Sequence, residues 1–281
     1  VLAAAAALLL GLIAAFVREG FDERVRDPAE VESTLGRPIL GFVPKTRALR
    51  RRNWTTPLPA EEADVFRTLR TNLWYALADE SSRSVLVTSP GPMDGKSTIA
   101  WNLAAATTSV REKVLLIEAD LRRPSIASGH DLGSSIGLSN VLTGQASSSE
   151  AIQSVPTWPG QLGAERYLLK LDVLAAGSPM PDSGELLDSV AMADLLSEVE
   201  QRYDFVVVDG PPASLIYDAV PLMTIVGATL VVVRPGSPER AALIQLRKQI
   251  ATVDARLVGA VMNFSDRERR YYGYGLDSRP R

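Results

Sequence analysis

The chain has 281 residues, 46% hydrophobic and 22% charged, with a formal net charge of −3. That is enough chain and enough apolar content for one large domain or two small ones, and the mild acidity gives no reason to expect nucleic acid as a partner. The absence of cysteine excludes a disulfide framework or thiolate metal site, and a single histidine, His130, disfavours a multi-histidine metal site or a histidine-based triad.

An unbroken apolar run opens the chain at residues 1–17 (VLAAAAALLLGLIAAFV). In helical form such a run spans roughly 26 Å, slightly less than a hydrocarbon core of about 30 Å. It reads as the C-terminal part of a transmembrane helix. A signal peptide would carry its basic residues before the apolar run; here Arg18, Arg24 and Arg26 follow it. The positive-inside rule then places everything after Val17 in the cytoplasm, tethered to the inner (cell) membrane.

Residues 18–60 read as a juxtamembrane connector. Asp27-Pro28 followed by 29–35 predicts a short capped helix, Gly36-Arg37-Pro38 breaks it, and 39–43 predicts a short strand. Residues 44–59 are basic and proline-punctuated, a surface segment beside the membrane. A helix is predicted over about 61–78, where Phe66, Leu69, Leu73 and Leu77 recur at helical spacing, with Asp64, Arg67 and Arg70 on another face.

From there strands and helices alternate. Short apolar runs at 84–89, 114–118, 171–175, 205–209, 229–234 and 258–263 predict strands; 96–109, 184–202, 218–225 and 239–253 predict helices. Continuous apolar strands alternating with helices predict an α/β fold, a mostly parallel sheet covered by helices on both faces. The domain is expected over 61–265, with a flexible tail at 266–281.

The first strand runs into Ser89-Pro90-Gly91-Pro92-Met93-Asp94-Gly95-Lys96-Ser97-Thr98 and then a helix, which is the context a phosphate-binding loop needs. Gly95 permits close backbone approach, and the loop amides with the helix N-terminus supply partial positive charge. Lys96 would reach the β- and γ-phosphates, Ser97 would ligate Mg²⁺, and Thr98 would contact the α-phosphate. The strict pattern has glycine where Pro90 stands. Asp209 ends the apolar strand at 205–208 and reads as a metal-holding carboxylate. Glu118 and Asp120, two residues apart at the end of a neighbouring strand, read as metal ligands or proton acceptors.

Together these residues resemble the bacterial tyrosine kinases, the cytoplasmic kinase modules of polysaccharide co-polymerases. The matching stretches are 88–98, 114–124 and 203–212, then 64–72 (DVFRTLRTN), 136–144 (IGLSNVLTG), 171–177 (LDVLAAG), 185–187, and the connector around Asp27-Pro28 and Pro38-Ile39-Leu40-Gly41. The resemblance covers nearly the whole chain. It implies a P-loop fold related to the MinD and ParA ATPases. It also implies ATP and Mg²⁺ as cofactors, with an ATP contact set of Gly91, Asp94, Gly95, Lys96, Ser97, Thr98 and Asn263. Ser97, Asp120 and Asp209 would hold the metal, and Lys96, Glu118, Asp120 and Asp209 would carry catalysis.

The activity implied is autophosphorylation between subunits of a ring, with Asp64, Arg67 and Arg70 as the subunit contact. Tyr271, Tyr272 and Tyr274, three of the chain's 7 tyrosines, are the expected acceptors. Implied partners are other copies of the chain, the membrane, a polysaccharide polymerase and export machinery, and a cognate tyrosine phosphatase. Glu118 stands where the family usually has aspartate, one methylene longer, and Asp64 where it usually has glutamate.

Two alternatives are a MinD- or ParA-like ATPase switch without kinase activity and a nucleotide-binding assembly subunit of an export system. The switches usually carry a second lysine early in the loop, at the place Gly91 occupies here.

Overall fold

The central strands of this chain are short apolar runs buried on both faces, which suits a parallel sheet sandwiched between helices. The computed structural model describes residues 24–50, 57–77, 83–111, 113–130, 132–133, 136–157, 169–180, 183–213 and 218–265. In chain order the elements are α1 (Pro28–Leu35), β1 (Ile39–Val43), α2 (Arg47–Arg50), α3 (Ala60–Leu77), β2 (Ser84–Thr88), α4 (Lys96–Thr107), β3 (Val114–Glu118), α5 (Ile126–His130), α6 (Leu138–Leu142) and α7 (Ser148–Ala151). There follow β4 (Gln153–Thr157), β5 (Leu169–Leu174), α8 (Ser183–Leu187), α9 (Val190–Arg202), β6 (Phe205–Asp209), α10 (Ala219–Ile225), β7 (Ala228–Val233), α11 (Arg240–Thr252) and β8 (Leu257–Asn263).

The strands form one 8-stranded sheet in the order β1-β8-β7-β2-β6-β3-β5-β4. Every pairing is parallel except β4 with β5. Alternate residues of each central strand enter opposite cores. Along β6, Phe205 and Val207 pack with Phe66, Leu69 and Leu103 from α3 and α4. Val206 and Val208 pack on the other face with Leu195, Leu222 and Leu246 from α9, α10 and α11. This is the α/β fold, a mostly parallel sheet covered by helices on both faces, expected from the alternation of elements.

The described part of the expected connector belongs to this sheet. Asp27 caps α1 by accepting from the Ala29 amide at 3.3 Å, and Pro28 occupies the first helical turn. α1 packs against α11 through buried Val31 and Leu35, with a Glu30–Arg240 ion pair at 2.5 Å. β1 extends the sheet parallel to β8. The described part of the expected connector thus packs directly on the domain expected from 61, with β1 covering the β8 edge.

The helix expected over 184–202 is two helices. The chain turns at Asp188, and Ser189 caps α9 by accepting from the Met192 amide at 3.3 Å. β4 had no sequence signal: its residues QSVPT carry no apolar alternation, and Pro156 is tolerated because β4 is the sheet edge. Among the described residues no helix is long and apolar enough to cross a membrane. The apolar run at 1–17 and the tyrosines 271, 272 and 274 lie outside the described residues.

Candidate active site

β2 lies between β7 and β6, so the loop that follows it opens at the C-terminal edge of the sheet centre, where ligands of open α/β sheets bind. The loop is shaped by its own side chains. The Ser89 hydroxyl donates to the Gly91 carbonyl at 2.6 Å, and the Gly91 amide donates to Asp94 Oδ2 at 3.0 Å. Burial pushes the Asp94 carboxyl up to about 6, while the Ser237 hydroxyl, the Gly91 amide, Arg234 and Lys96 pull it down. Asp94 is fully buried, so its place is inside the loop, holding its shape.

Gly95 precedes α4 with φ of 90°, a left-handed conformation that disfavours any other residue. A Cβ there would stand 2.1 Å from Asn263 Nδ2. Asn263, buried at the end of β8, donates to the Asp94 carbonyl at 2.8 Å and accepts from the Phe264 amide at 3.0 Å. Expected as an ATP contact, Asn263 thus spends its side chain fastening the loop. The first intrahelical bond runs from the Ile99 amide to the Gly95 carbonyl at 3.1 Å. The amides before Ile99 have no intrahelical partner and make the start of α4 an anion site. Ser97 and Thr98 are half-buried on this first turn.

Three acids surround one lysine here. Lys96 Nζ donates to Asp120 Oδ2 at 2.8 Å, with both side chains nearly buried. Burial works against the Lys96 charge. Asp209, Asp120 with its hydrogen bond, and Glu118 outweigh that and hold the ammonium above its ordinary pKa. Asp120 Oδ1 also accepts from the Arg123 amide at 3.1 Å.

Asp209 ends β6 directly beside Glu118 in the β3–β6 register. It is fully buried, and neither carboxyl oxygen has a hydrogen-bond partner. Burial raises its pKa to about 7. Lys96 and the Ser97 hydroxyl, close by but outside hydrogen-bonding geometry, pull it down, and Glu118 and Asp120 push it up.

Glu118 differs from its neighbours. It is fully buried, and its Oε1 accepts from the Ser125 and Ile126 amides at 2.5 and 2.6 Å while Oε2 accepts from the Ala176 amide at 3.2 Å. The structure therefore brings Lys96, Asp120 and Asp209 together with the α4 N-terminus, and it commits Glu118 to backbone.

The donor set suits a hard cation. Asp209 offers two orphaned oxygens, Ser97 a hydroxyl and Asp120 a second carboxylate. No group of three or more His, Cys, Asp or Glu side chains among the described residues could hold a metal alone. Mg²⁺, which keeps waters and takes phosphate oxygens, does not require one.

Two features had gone unnoticed in the sequence. Phe264 lies against the loop, its ring 3.4 Å from a Cβ built on Gly95, and Arg234 stacks over that ring at 5.1 Å. The only sequence signal was their position at the C-terminal ends of β7 and β8. The expected subunit-contact residues lie on α3. Asp64 and Arg67 form an ion pair with each other. Arg70 reaches inward, donating to the Ala106 carbonyl at 3.0 Å and to Ser109 Oγ at 2.7 Å at the end of α4.

The chain is similar to known proteins over most of its length. A family model described as an AAA domain matches residues 93–258. The tyrosine-protein kinase YwqD of Bacillus subtilis is 35% identical over 213 residues, 75% of this chain and 85% of that protein. The tyrosine-protein kinase ptk of Acinetobacter johnsonii is 26% identical over 94% of this chain, which spans 36% of that protein. Among solved structures, the kinase domain of Escherichia coli tyrosine kinase ETK superposes with a TM-score of 0.73 at 27% identity, over 89% of this chain and 99% of that one.

Proposed function

Given that the chain belongs to the bacterial tyrosine-protein kinase family, we propose that it is a membrane-anchored, ATP-dependent protein-tyrosine autokinase that regulates synthesis and export of an exopolysaccharide or capsule. The observation that carries the reading is the Lys96–Asp120 ion pair poised beside the orphaned Asp209 at the start of α4. ATP phosphates bind the amides of the Gly95–Lys96 turn, and Thr98 takes the α-phosphate. Ser97 and Asp209 would hold Mg²⁺, with Asp120 reaching it through a water, and the ion would supply charge neutralisation for the phosphates.

The phosphates compete for Lys96. As its ammonium turns to the β- and γ-oxygens, Asp120 loses its partner and becomes free to accept a proton. The phenol oxygen of an acceptor tyrosine attacks the γ-phosphorus, the bond to the ADP oxygen breaks, and the phenol proton passes to Asp120. A phenol with pKa near 10 gains from a carboxylate and an ammonium at that point. Asp209 orders the loop–metal side of the site and offsets the Lys96 charge.

The acceptors are Tyr271, Tyr272 and Tyr274, presented by a neighbouring copy in a ring. Each phosphate adds about −1.5 to −2 charges next to Arg267, Arg269 and Arg270, which weakens or remakes tail docking until a phosphatase removes it. The apolar run at 1–17 anchors the chain in the inner membrane with the kinase on the cytoplasmic side, beside the polymerase and export machinery it regulates.

The test is incubation of the purified chain with Mg-ATP followed by mass spectrometry of residues 266–281. Phosphate on Tyr271, Tyr272 or Tyr274, lost in Lys96→Met, is the expected result. ATP consumption with an unmodified tail would replace the kinase reading with an ATPase switch.

A further inference from the structure

We propose that Glu118 is a positioning residue that builds the acceptor-side wall of the site, and not a metal ligand or a proton acceptor. The inference deepens the kinase reading and rests on it only for its activity arm. Glu118 sits at the end of β3, fully buried, and spends both carboxylate oxygens on three backbone amides. Those amides belong to two separate segments. Ser125 and Ile126 lead into α5, and Ala176 follows β5.

The bridge continues outward. Leu138 and Ser139 donate their amides to the carbonyls of Ala175 and Ala176 at 2.7 and 3.0 Å. Gly137 lies so close that a Cβ on it would stand 2.3 Å from both the Ala175 carbonyl and the Gly177 nitrogen. The loop carrying Asp120 is tied to the same unit, since the Met180 amide donates to the Leu121 carbonyl at 3.1 Å. The carboxylate thus ties 125–126 to 176, and backbone bonds join 138–139 and 121 to the same unit at the C-terminal ends of β3 and β5. The phosphate loop occupies the other side of β6. A tyrosine approaching Asp120 meets this wall.

Side-chain length is the physical basis. Aspartate, one methylene shorter, lacks the reach from β3 to both segments at once. Glutamine keeps the length but exchanges one acceptor oxygen for a donor. Its carbonyl oxygen keeps the pair of amides at Ser125 and Ile126, and its amino group is left facing the Ala176 amide, donor against donor.

The experiment uses the full chain with Glu118→Gln, Glu118→Asp and Asp120→Asn. Hydrogen–deuterium exchange without nucleotide is the arm independent of activity. In Glu118→Gln, exchange rises at Ala176, Leu138 and Ser139, while Ser125, Ile126 and the 91–98 loop keep their protection. In Glu118→Asp both amide groups exchange faster. Unchanged exchange at 176 and 138–139 in both variants would overturn the proposal. The second arm is transfer to a tyrosine peptide. Glu118→Gln should raise the peptide KM by about tenfold, as expected for a mispositioned acceptor, with kcat largely retained. Asp120→Asn should lower kcat at unchanged KM. If Glu118→Gln instead lowers kcat as far as Asp120→Asn at unchanged KM, Glu118 is the base. Absence of transfer in the wild type would strike the kinase reading and leave the exchange arm to decide this one.

Discussion

Asp209 is the residue whose physical situation is least favourable to the fold. A carboxyl without a hydrogen-bond partner, fully buried, ionises near 7 where the unfolded side chain ionises near 3.8. Between those values the folded chain holds a proton that the unfolded chain has lost. Stability therefore falls as pH rises from about 4 to about 7 and levels off above it, a cost on the order of 4 kcal/mol once complete. Asp209→Asn keeps the shape and removes the titration. It should melt higher than the wild type at pH 8 without Mg-nucleotide, by about 5–10 °C for a domain of this size, with the gap closing toward pH 4.5. Autophosphorylation should fall by about 100-fold in the same variant, the usual cost of losing a charge aimed at the reacting groups. Thermal melts across pH, paired with a transfer assay, check both. A variant no more stable than wild type at pH 8 would show that the folded state satisfies the carboxylate. Gain in stability with loss of activity is what a residue kept for chemistry predicts.

At the scale of elements, α3 shows how a motif acquires meaning only in three dimensions. Phe66, Leu69 and Leu73 were legible as a core stripe, and they are buried against β1 and α4. Arg70 was legible only as a charge on another face, matched to a subunit contact by resemblance. In the fold its guanidinium closes the last turn of α4 through Ala106 and Ser109, residues 36 and 39 positions away. Burial, with Arg67 beside it, lowers its pKa. Arg70→Ala should destabilise the chain by about 1–2 kcal/mol, as for a charged donor removed from a partly buried carbonyl. The loss should be the same at two protein concentrations tenfold apart in denaturant melts; a loss that grows with concentration would make the subunit contact the dominant role. The same reasoning explains what else the sequence withheld. β2, β3, β6, β7 and β8 were visible because β-branched runs buried on both faces are local signals. The phosphate loop was visible because its chemistry is contiguous. The partners of Glu118 lie at 125–126 and 176, and Asn263 grips the carbonyl of Asp94 169 residues away. Such pairings leave no periodicity to read. β4, short and polar with a proline, carried no pattern at all.

At the scale of the molecule, the question is where the folding unit starts. Composition suggested a connector up to residue 60, since 18–60 is rich in arginine and proline. The structure builds its described part into both main cores: Val25, Val31 and Leu35 are buried in one, and Leu40, Val43 and Leu49 in the other. Burying each such side chain is worth about 1.5–3 kcal/mol. Their sum is of the order of the whole stability of a domain, about 5–15 kcal/mol. β1 also supplies the parallel partner of β8, and β8 ends in Asn263, which fastens the phosphate loop. Leu40 and Pro38 close directly over Gly259 of β8. A chain beginning at residue 24 should therefore give a cooperative unfolding transition and bind Mg-ADP. A chain beginning at residue 57 should expose the β8 edge, run as aggregate in gel filtration, and show no nucleotide-dependent shift in melting. Folding of the shorter chain to within a few degrees of the longer would mean that α1 and β1 lean on the domain without supporting it. β1 is thus built into the sheet that carries the phosphate site, and its last residue, Val43, pairs directly with Asn263.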